Sequence, residues 1–508
     1  MNSTTTQTSK IKILLDLKPA FDGYAGIPQE TRLLFRGLRT IASCEVEGLI
    51  QHGGLHLRSA IPQKNNKYSN ATKINKLSQL VVSVYQGNSG NGAERIIQKI
   101  NNYLRHKWVH FLLRLKLWTG VPVRTSIFES SLFEDFVWRT FFSKTLNLDD
   151  KNNVTSARFH ILKMPRKMLH QVGLAGLRYT QTPKYNAHAT AGFDVFLAQT
   201  PYPGRVTAGT QMVIRYHDAV PILLPHTIND KVFHQSSHFY ALQDNVRSGA
   251  WFACVSKSTQ NDLLRIFPEV ESRSVVIHNI VSNEYYDDQS QKQLTFQIIR
   301  NRVAKTNHFD SNLKSLSVSA RLVDHDFQYL LMVSTLEPRK NHALLLSAWE
   351  RLKYTSMPNL KLVIVGGYGW DSDAILQSFK PWAESGDLFF LNNVPSSELR
   401  TLYKHAAVTV CPSLAEGFDY TGVEAMRCDG LVVASDIPVH REIYGNASEY
   451  FNAYSADDAA AVLRKVLTKE NVKVREDLRA AGREVSAKYT SKNILPKWDS
   501  FLSSIRKP

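Results

Sequence analysis

The sequence predicts an α/β protein made of two doubly wound domains, each a mostly parallel sheet with helices on both faces. The first observation behind this prediction is length, because 508 residues are too many for one ordinary hydrophobic core. The second is that apolar runs in both halves of the chain lead through loops into stretches with helical periodicity. The third is composition, because 43% of the residues are hydrophobic, as in folded domains.

The bulk composition also narrows the functional classes. The four cysteines lack Cys-x-x-Cys spacing, which favours reduced core positions in a cytosolic protein over zinc ligands or disulfides: Cys44, Cys254, Cys411 and Cys428. The polar N-terminus predicts no signal peptide, and no run reaches the ~18 apolar residues that span a membrane. The net charge of +17 predicts anionic partners. We expect no nucleic acid among them, because no nucleic-acid-reading motif is present.

The N-terminal domain, which we expect to span residues 1–283, opens with a strand over Ile11–Leu17. A loop with Tyr24 and Gly26 follows, and then a helical run over Glu30–Leu38. A glycine loop between a strand and a helix suits a phosphate, because the free N–H groups of a helix N-terminus attract anions. A tight structural turn is an equally good interpretation of this loop taken alone.

A later strand of this domain ends in His217 and Asp218. A histidine at a strand end is usually a satisfied structural residue, but it also suits a substrate contact. Asp218 is suited to orienting the imidazole, to meeting an acceptor, or to capping the next turn.

Residues 55–190 exceed a minimal domain and predict a mostly helical insertion. Its clearest element, residues 94–118, is aromatic and carries six basic side chains against one acid: Arg95, Lys99, Arg105, Lys107, Arg114 and Lys116. Such a helix suits an anionic membrane surface. It suits equally a domain helix whose apolar face packs inward and whose basic face is solvated, and the sequence does not separate the two.

The second half of the chain predicts a linker, a second domain and a final helix. Residues 284–325 are polar and weakly patterned, with a helix expected near Leu294–Ala304. The C-terminal domain is expected over residues 326–485. The run Asn493–Ile505 is amphipathic, and a C-terminal helix is expected over residues 486–508.

The C-terminal domain begins with two strand signals that lead into chemically suggestive loops. The strand Phe327–Val333 runs into a loop with Arg339 and Lys340, followed by a helical run. Their charges suit a diphosphate, arginine by its fork geometry and lysine as a point charge. The next strand ends at Gly366 and Gly367, where missing side chains permit close approach of a nucleotide.

Two glutamates eight positions apart follow the strand signal Ala407–Cys411. The pattern predicts that Glu416 lies in a turn and that Glu424 lies in the first turn of the following helix. Negative charge is favoured there by the helix dipole and the free N–H groups. The carboxylates would accept sugar hydroxyls while the amides of Thr421 and Gly422 hold a phosphate.

This pattern resembles the E-x7-E signature of retaining glycosyltransferases with the GT-B fold, in the family-4 group. The run Thr335–Asn341 resembles the T-L-E-P-R-K-N motif of bacterial mannosyltransferase-like members. The usual family pattern has a further arginine near the start of this loop, where this chain has Thr335. The resemblance covers residues 327–455.

Shorter segments elsewhere in the chain also resemble family motifs, each at one or two residues. His217 and Asp218 resemble the His-Asp-x-x-Pro element that places a histidine over the donor sugar. Gly26 lies where the family usually has Gly-Gly-Ile, but Ala25 precedes it here. The loop with Val394 resembles the one that holds the base of the nucleotide.

The resemblance implies the GT-B fold, in which two Rossmann-like doubly wound domains face each other across a cleft, here with a mostly helical insertion in the N-terminal domain. It also implies that the C-terminal helix crosses back to the N-terminal domain. The implied catalytic residues are Glu416, His217, Lys340 and Arg339. The implied donor-binding residues are Glu424, Thr421, Gly422, Tyr420, Gly366, Gly367, Val394 and Gly26. The implied acceptor-side residues are Asp218 and Tyr24.

The resemblance further implies a glycosyltransferase that retains anomeric configuration and needs neither a metal nor a cofactor. The motifs favour mannose from GDP-mannose, with dTDP-, UDP- or other GDP-linked sugars as alternatives. The acceptor that the family suggests is a lipid-linked oligosaccharide of a surface polysaccharide such as an O-antigen or capsule. We expect a cytoplasmic protein, at the inner face of the membrane if residues 94–118 bind lipid. A non-catalytic glycan-assembly subunit is the alternative function.

Overall fold

Two parallel sheets, each flanked by helices, form the two halves of the molecule, which confirms the predicted fold class. The structure is a computed structural model, and it describes residues 10–24, 26–57, 92–228, 230–309 and 326–506. The first part of the predicted insertion, residues 58–91, lies outside the described residues. So does the second part of the predicted linker, residues 310–325.

The N-terminal half is built around one large sheet, with a second, two-stranded sheet beside it. These strands are β1 (Ile11–Asp16), β2 (Cys44–Ile50), β3 (Ser126–Phe128), β4 (Phe159–Ile161), β5 (Ala187–His188), β6 (Val195–Ala198), β7 (Arg205–Val206), β8 (Gln211–Tyr216), β9 (Trp251–Cys254) and β10 (Ser274–Val276). Among the described residues the main sheet has the order β10-β9-β8-β6-β1-β2-β4-β3, and β5 pairs with β7. All described pairs are parallel except β3 with β4. The insertion therefore contributes strands as well as the expected helices.

Helices cover both faces of this sheet. They are α1 (Ile27–Leu38), α2 (Gly92–Thr119), α3 (Glu134–Val137), α4 (Lys151–Thr155), α5 (Arg166–Ala175), α6 (Val220–Leu223), α7 (Lys231–Arg247) and α8 (Lys257–Ile266). The next helix, α9 (Lys292–Phe309), packs instead on the C-terminal half, where Ile298, Ile299 and Val303 join the core. The helix expected within the linker corresponds to α9, which starts two residues earlier and extends further than predicted.

The C-terminal half repeats the same architecture. Its strands are β11 (Tyr329–Val333), β12 (Lys361–Val365), β13 (Leu388–Leu391), β14 (Val408–Cys411), β15 (Val432–Ser435) and β16 (Ser448–Phe451), in the all-parallel order β13-β12-β11-β14-β15-β16. Its helices are α10 (His342–Thr355), α11 (Ser372–Glu384), α12 (Ser396–His405), α13 (Tyr420–Arg427), α14 (Pro438–Tyr444), α15 (Ala456–Leu467), α16 (Val472–Ala487) and α17 (Ser491–Ile505).

The last helix, α17, packs into the core of the N-terminal half. Its apolar residues recur at helical spacing and are buried there: Ile494, Trp498, Phe501, Leu502 and Ile505. The guanidinium of Arg215, on β8, lies 5.2 Å from the Trp498 ring centroid. Ser43 donates a hydrogen bond to Asp499 at 2.5 Å. The C-terminal end of the chain therefore ties the two halves together.

Helix α2 has apolar residues on two sides. Val109, Leu113 and Leu117, spaced four apart, pack against the N-terminal core. On the other side, Trp118 is 85% exposed, and further large apolar side chains are exposed with it: Ile100, Tyr103, Leu104, Trp108, Phe111 and Leu115. None of the helices in the described part of the chain combines the length and apolar character needed to cross a bilayer.

Loops from the two halves meet at the carboxyl ends of β8 and β14, where open α/β sheets place their ligands. The Thr259 hydroxyl lies 3.2 Å from the His217 carbonyl and 3.4 Å from the Gly417 carbonyl. Glu442, on α14, accepts hydrogen bonds from the Lys257 amide at 2.7 Å and the Ser258 amide at 2.9 Å. The cleft between the halves is closed by these contacts.

Candidate active site

The predicted phosphate cations and the first predicted glutamate lie on loops that touch. Arg339 and Lys340 belong to a short helical turn after β11, and Glu416 lies between β14 and α13. The Leu414 amide donates a hydrogen bond to the Arg339 carbonyl at 2.8 Å, which holds the loops together. Arg339 Nη1 lies 2.9 Å from Glu416 Oε2, and Lys340 Nζ donates to Glu416 Oε1. The structure thus brings together the acid and both cations.

The charge of Glu416 depends on these two cations, because its side chain is only 6% exposed. Burial raises the pKa of a carboxyl group, but Lys340 and Arg339 outweigh that effect, so the pKa of Glu416 lies below its ordinary value. Burial also opposes the charge of Arg339, but Glu416 and Glu337 raise the pKa of Arg339 above its ordinary value. Glu416 is therefore ionised at neutral pH and held by charged partners.

Glu424 lies deeper in its helix than the sequence predicted. Helix α13 begins at Tyr420, so Glu424 belongs to the second turn, and its predicted place in the first turn is wrong. Gln29 Nε2, from α1, donates to Glu424 Oε1 at 2.8 Å, and the Tyr403 hydroxyl donates to Oε2 at 3.2 Å. Burial raises the pKa of Glu424 to about 8, although these hydrogen bonds lower it. A ribose that binds Glu424 has to replace Gln29.

The first turn of α13 already has hydrogen-bond partners within the protein. Asp419 Oδ1 accepts a hydrogen bond from the Thr421 amide at 3.0 Å and caps the helix. The Gly422 amide donates to the Tyr444 hydroxyl at 3.3 Å. The sequence analysis missed Asp419, although an aspartate directly before a helix is an ordinary capping signal. Phosphate binding by the Thr421 and Gly422 amides stays a prediction, and it requires these partners to move.

The loop before α1 forms the opposite wall of the cleft. Gly26 has a φ of 68°, in the left-handed region that favours glycine. Among the described residues, no heavy atom lies within 4 Å of a side-chain carbon added at Gly26. The Tyr420 hydroxyl donates to Glu30 Oε2, on α1, at 2.9 Å, so Tyr420 joins the two halves. Tyr24 is 56% exposed and lies beneath Lys144, with 5.7 Å from Nζ to the ring centroid.

His217 and Asp218 reach the cleft from the end of β8. His217 is buried, and its Nε2 has no hydrogen-bond partner within the described part of the chain. Burial lowers the pKa of His217 well below its ordinary value, and the charge of Arg215 lowers it further, so the imidazole is neutral. Asp218 Oδ1 accepts a hydrogen bond from the Val220 amide at 3.0 Å, which is the capping role. An unpaired nitrogen in a cleft favours a substrate contact for His217.

Gly417 sets how closely the two halves approach, and the sequence analysis missed it. A side-chain carbon added at Gly417 would lie 1.7 Å from the His217 carbonyl oxygen. Any other residue would therefore push the loop of Glu416 away from His217. The available signal was the glycine directly after Glu416, but a glycine in a turn has many ordinary explanations.

The remaining predicted donor-binding residues lie along the carboxyl edge of the C-terminal sheet. A side-chain carbon added at Gly366 would lie 1.9 Å from the Ser334 carbonyl oxygen, so glycine is needed there for contact with the loop after β11. Gly367 has no heavy atom within 4 Å of such a carbon and borders open space. Val394 is half-buried and packs against the C-terminal core. Their contacts with a nucleotide stay predictions.

Two mostly parallel sheets, each flanked by helices and joined across a closed cleft, define the GT-B fold. The fold is shared with sucrose-phosphate synthase from Thermosynechococcus elongatus, which is 13% identical with a TM-score of 0.58. That likeness covers 98% of this chain and 99% of the synthase chain.

Within this class, residues 318–485 match the family described as glycosyl transferases group 1. The serotype-specific mannosyltransferase WbdA of Escherichia coli is 31% identical over 168 residues, which are 32% of this chain and 20% of WbdA. The O-antigen chain mannosyltransferase B of Escherichia coli is 35% identical over 119 residues, 23% of this chain and 31% of that protein. This chain thus matches a third or less of either relative's length. The chain has the GT-B fold, as the sequence predicted, and over the matched residues it is similar to these mannosyltransferases.

The raised pKa of Glu424 predicts a pH-dependent loss of stability. Between its ordinary pKa near 4.5 and the folded value of about 8, the folded state holds a proton that the unfolded state releases. The contribution of Glu424 to the free energy of unfolding therefore falls as pH rises through this window, by at most about 1.4 kcal/mol per pH unit. Glu424→Gln should remove this slope.

The thermal unfolding midpoint, measured from pH 5 to 8 for wild type and Glu424→Gln, checks the prediction. As pH rises, the unfolding midpoint of the wild type should fall relative to that of Glu424→Gln. Glu449→Gln, at the protein surface, controls for the loss of any glutamate. A constant difference across the range would contradict the assignment of a buried, protonated Glu424.

Proposed function

We propose that this protein is a retaining glycosyltransferase that moves mannose from GDP-mannose to a lipid-linked oligosaccharide during synthesis of a surface polysaccharide such as an O-antigen or capsule. The observation that carries the proposal is the buried Glu416 carboxylate, held by Arg339 and Lys340 at a loop that touches the end of β8. The choice of mannose is supported by the T-L-E-P-R-K-N motif and by the mannosyltransferases among the relatives.

In the proposed reaction the nucleoside diphosphate is the leaving group. The bond between the sugar C1 and the phosphate oxygen breaks, and the oxygen takes the electron pair. Arg339 and Lys340 neutralise the charge that develops on the diphosphate, and positive groups fixed in place beforehand are effective in this task. Glu416 pairs with both cations and holds them in position.

Glu416 also faces the sugar in this proposal. Its carboxylate accepts hydrogen bonds from donor-sugar hydroxyls and stabilises the positive charge that the ring acquires as the bond breaks. The acceptor hydroxyl attacks C1 from the face that the diphosphate leaves, and its proton passes to the departing phosphate oxygen. Attack from this face retains the anomeric configuration. Because two side chains supply the positive charge, the mechanism needs no metal and no cofactor.

One observation favours a second candidate, a non-catalytic glycan-assembly subunit. Glu424, Tyr420 and the Thr421 amide, all expected at the donor, are bonded to protein groups in this structure. The enzyme is the stronger candidate, because Arg339, Lys340 and Glu416 are all present and in contact. Within the enzyme proposal, a dTDP-, UDP- or other GDP-linked sugar is the alternative donor.

Lys340→Ala tests the proposed role of the cations. Removing one group that stabilises transition-state charge costs roughly 100- to 1,000-fold in turnover. Transfer of radiolabelled mannose from GDP-mannose to membrane glycan acceptors measures the effect. Lys465→Ala is the matched control, because Lys465 pairs with Glu449 at 2.9 Å on the surface of the same half and should be dispensable. Full activity of Lys340→Ala would contradict the phosphate role.

We also propose that the protein binds the inner face of the cytoplasmic membrane through the exposed side of α2. The rings of Trp108 and Phe111 stack there, with centroids 5.9 Å apart. Lys107 and Arg114 are exposed beside them, and residues 100–119 contain no acid. Aromatic side chains next to basic ones suit the boundary of an anionic bilayer, where apolar burial and charge attraction act together. This supports the membrane interpretation of α2 over a solvated basic face.

A double substitution, Trp108→Ser with Phe111→Ser, removes the two stacked rings from the exposed side of α2. Sedimentation with phosphatidylglycerol-containing vesicles should then weaken by about tenfold or more, because less apolar surface is buried in the bilayer. Wild type should bind vesicles of phosphatidylcholine alone weakly. Tyr354→Ser, which removes another exposed aromatic ring on α10, is the control and should bind like wild type. Unchanged sedimentation of the double variant would contradict membrane binding through this side of α2. If the wild type is a dimer and the double variant is a monomer, a second copy of the chain covers the exposed side of α2.

A further inference from the structure

Gln199, directly after β6, is a buried polar side chain to which no role has been assigned so far. It is 0% exposed, and neither its amide nitrogen nor its amide oxygen has a hydrogen-bond partner among the residues that the structure describes. A carboxamide offers two donors and an acceptor, and native proteins rarely leave all of them unused in their interior. An unused carboxamide at the edge of a cleft indicates a ligand that supplies the missing partners.

The alternation of side chains along β6 places Gln199 on the α1 face of the sheet. Val195 and Leu197 pack in the core that contains α1, whereas Phe196 and Ala198 pack in the core on the opposite face. Side chains two apart on a strand share a face, so Gln199 continues the series of Val195 and Leu197.

His217 lies on the same face at the end of the neighbouring strand. β6 pairs with β8 in parallel, and Val213 on β8 packs in the α1 core. Arg215 and His217 continue that series. The Gln199 backbone also forms a hydrogen bond with the His217 ring, which raises the pKa of His217 against the effect of burial. Two side chains with unused hydrogen-bonding atoms are therefore neighbours at one edge of the sheet.

His217 lies where the two halves meet, and Gln199 is its neighbour, whereas the unpaired groups of His188 and Tyr202 lie elsewhere in the N-terminal half. The Gly417 loop, which carries Glu416, touches the His217 carbonyl. By contrast, His188 and Tyr202 have unpaired atoms but lie against each other, with ring centroids 5.4 Å apart, and Tyr202 belongs to the opposite core. Position rather than the unpaired atoms alone distinguishes Gln199.

We propose that Gln199 binds two adjacent hydroxyl groups of a sugar in the cleft, beside His217. Its NH2 group donates to one hydroxyl oxygen while its carbonyl oxygen accepts from the next hydroxyl. Neighbouring hydroxyls on a pyranose ring are spaced for this pairing, and the neutral His217 Nε2 reaches a third polar atom. This inference rests on the proposed glycosyltransferase function and adds a specificity-determining residue to it.

Gln199→Met tests the inference, because methionine keeps the shape and removes the hydrogen bonds. In the absence of ligand the variant should unfold at or above the wild-type temperature, since no existing hydrogen bond is lost. Thermal shifts are measured with GDP-mannose and GDP, and with UDP-glucose and UDP. The extra shift of a sugar nucleotide over its own diphosphate should shrink in the variant, while the diphosphate shift stays the same.

Gln51→Met is the matched control. Gln51 is also 0% exposed and follows a strand at the same edge, but the side-chain series of β2 places it on the opposite face. Its Nε2 donates to the Met164 carbonyl at 3.1 Å, so this variant should lose thermal stability and keep the full sugar-dependent shift. Gln199→Asn, which retains the amide but shortens its reach, replaces Gln199→Met if the latter does not fold.

The results of these measurements distinguish a role of Gln199 at the donor sugar from a role at the acceptor sugar, and both from no role. A reduced sugar-dependent shift, or a tenfold rise in KM for the sugar nucleotide, places Gln199 on the donor sugar. An unchanged shift with a tenfold rise in KM for the glycan acceptor places it on the acceptor sugar. If neither changes, the inference is overturned and Gln199 holds only ordered water. If no diphosphate shifts the wild type, the proposed function itself fails, and this inference fails with it.

Discussion

The structure depends on one electrostatic constraint, the removal of the Glu416 carboxylate from water. A buried carboxylate without opposite charge nearby is so costly that it takes up a proton instead. Arg339 and Lys340 prevent this by contacting its two oxygens. This contact requires the loop after β11 to meet the loop after β14, and a backbone hydrogen bond between Leu414 and Arg339 holds them there. The positive charge of the site is thus held in place before any substrate arrives.

The closed cleft adds a second layer of contacts around this cluster. Gly417 permits the loop to touch the His217 carbonyl, and Glu424 and Tyr420 bond to Gln29 and Glu30 at the start of α1. These contacts use groups that a nucleotide is expected to use. Under the proposed function, donor binding has to exchange contacts between the two halves for contacts with substrate, which would couple opening of the cleft to occupancy of the site.

The sequence predicted the fold class and singled out Glu416, Arg339 and Lys340 because these depend on local patterns, but it did not predict that the acid pairs with both cations. Strand, loop and helix alternate visibly, and charged residues at strand ends are conspicuous. It placed Glu424 one turn too early, because the capping role of Asp419 was overlooked. It could not predict Gly417 or Gln199, because their importance comes from contacts across the cleft and from an unsatisfied buried amide. The exposed apolar side of α2 was likewise undecided until the packing of Leu113 showed which side faces the core.

The most direct test of this account is calorimetric titration of GDP, UDP and dTDP into wild type and Glu416→Gln. If Glu416 is the internal counter-charge of a diphosphate site, neutralising it frees Arg339 and Lys340 for the ligand. One diphosphate should then bind the variant at least as tightly as it binds wild type, while sugar transfer is lost. Loss of diphosphate binding in folded Glu416→Gln, or full transfer activity, would contradict the account.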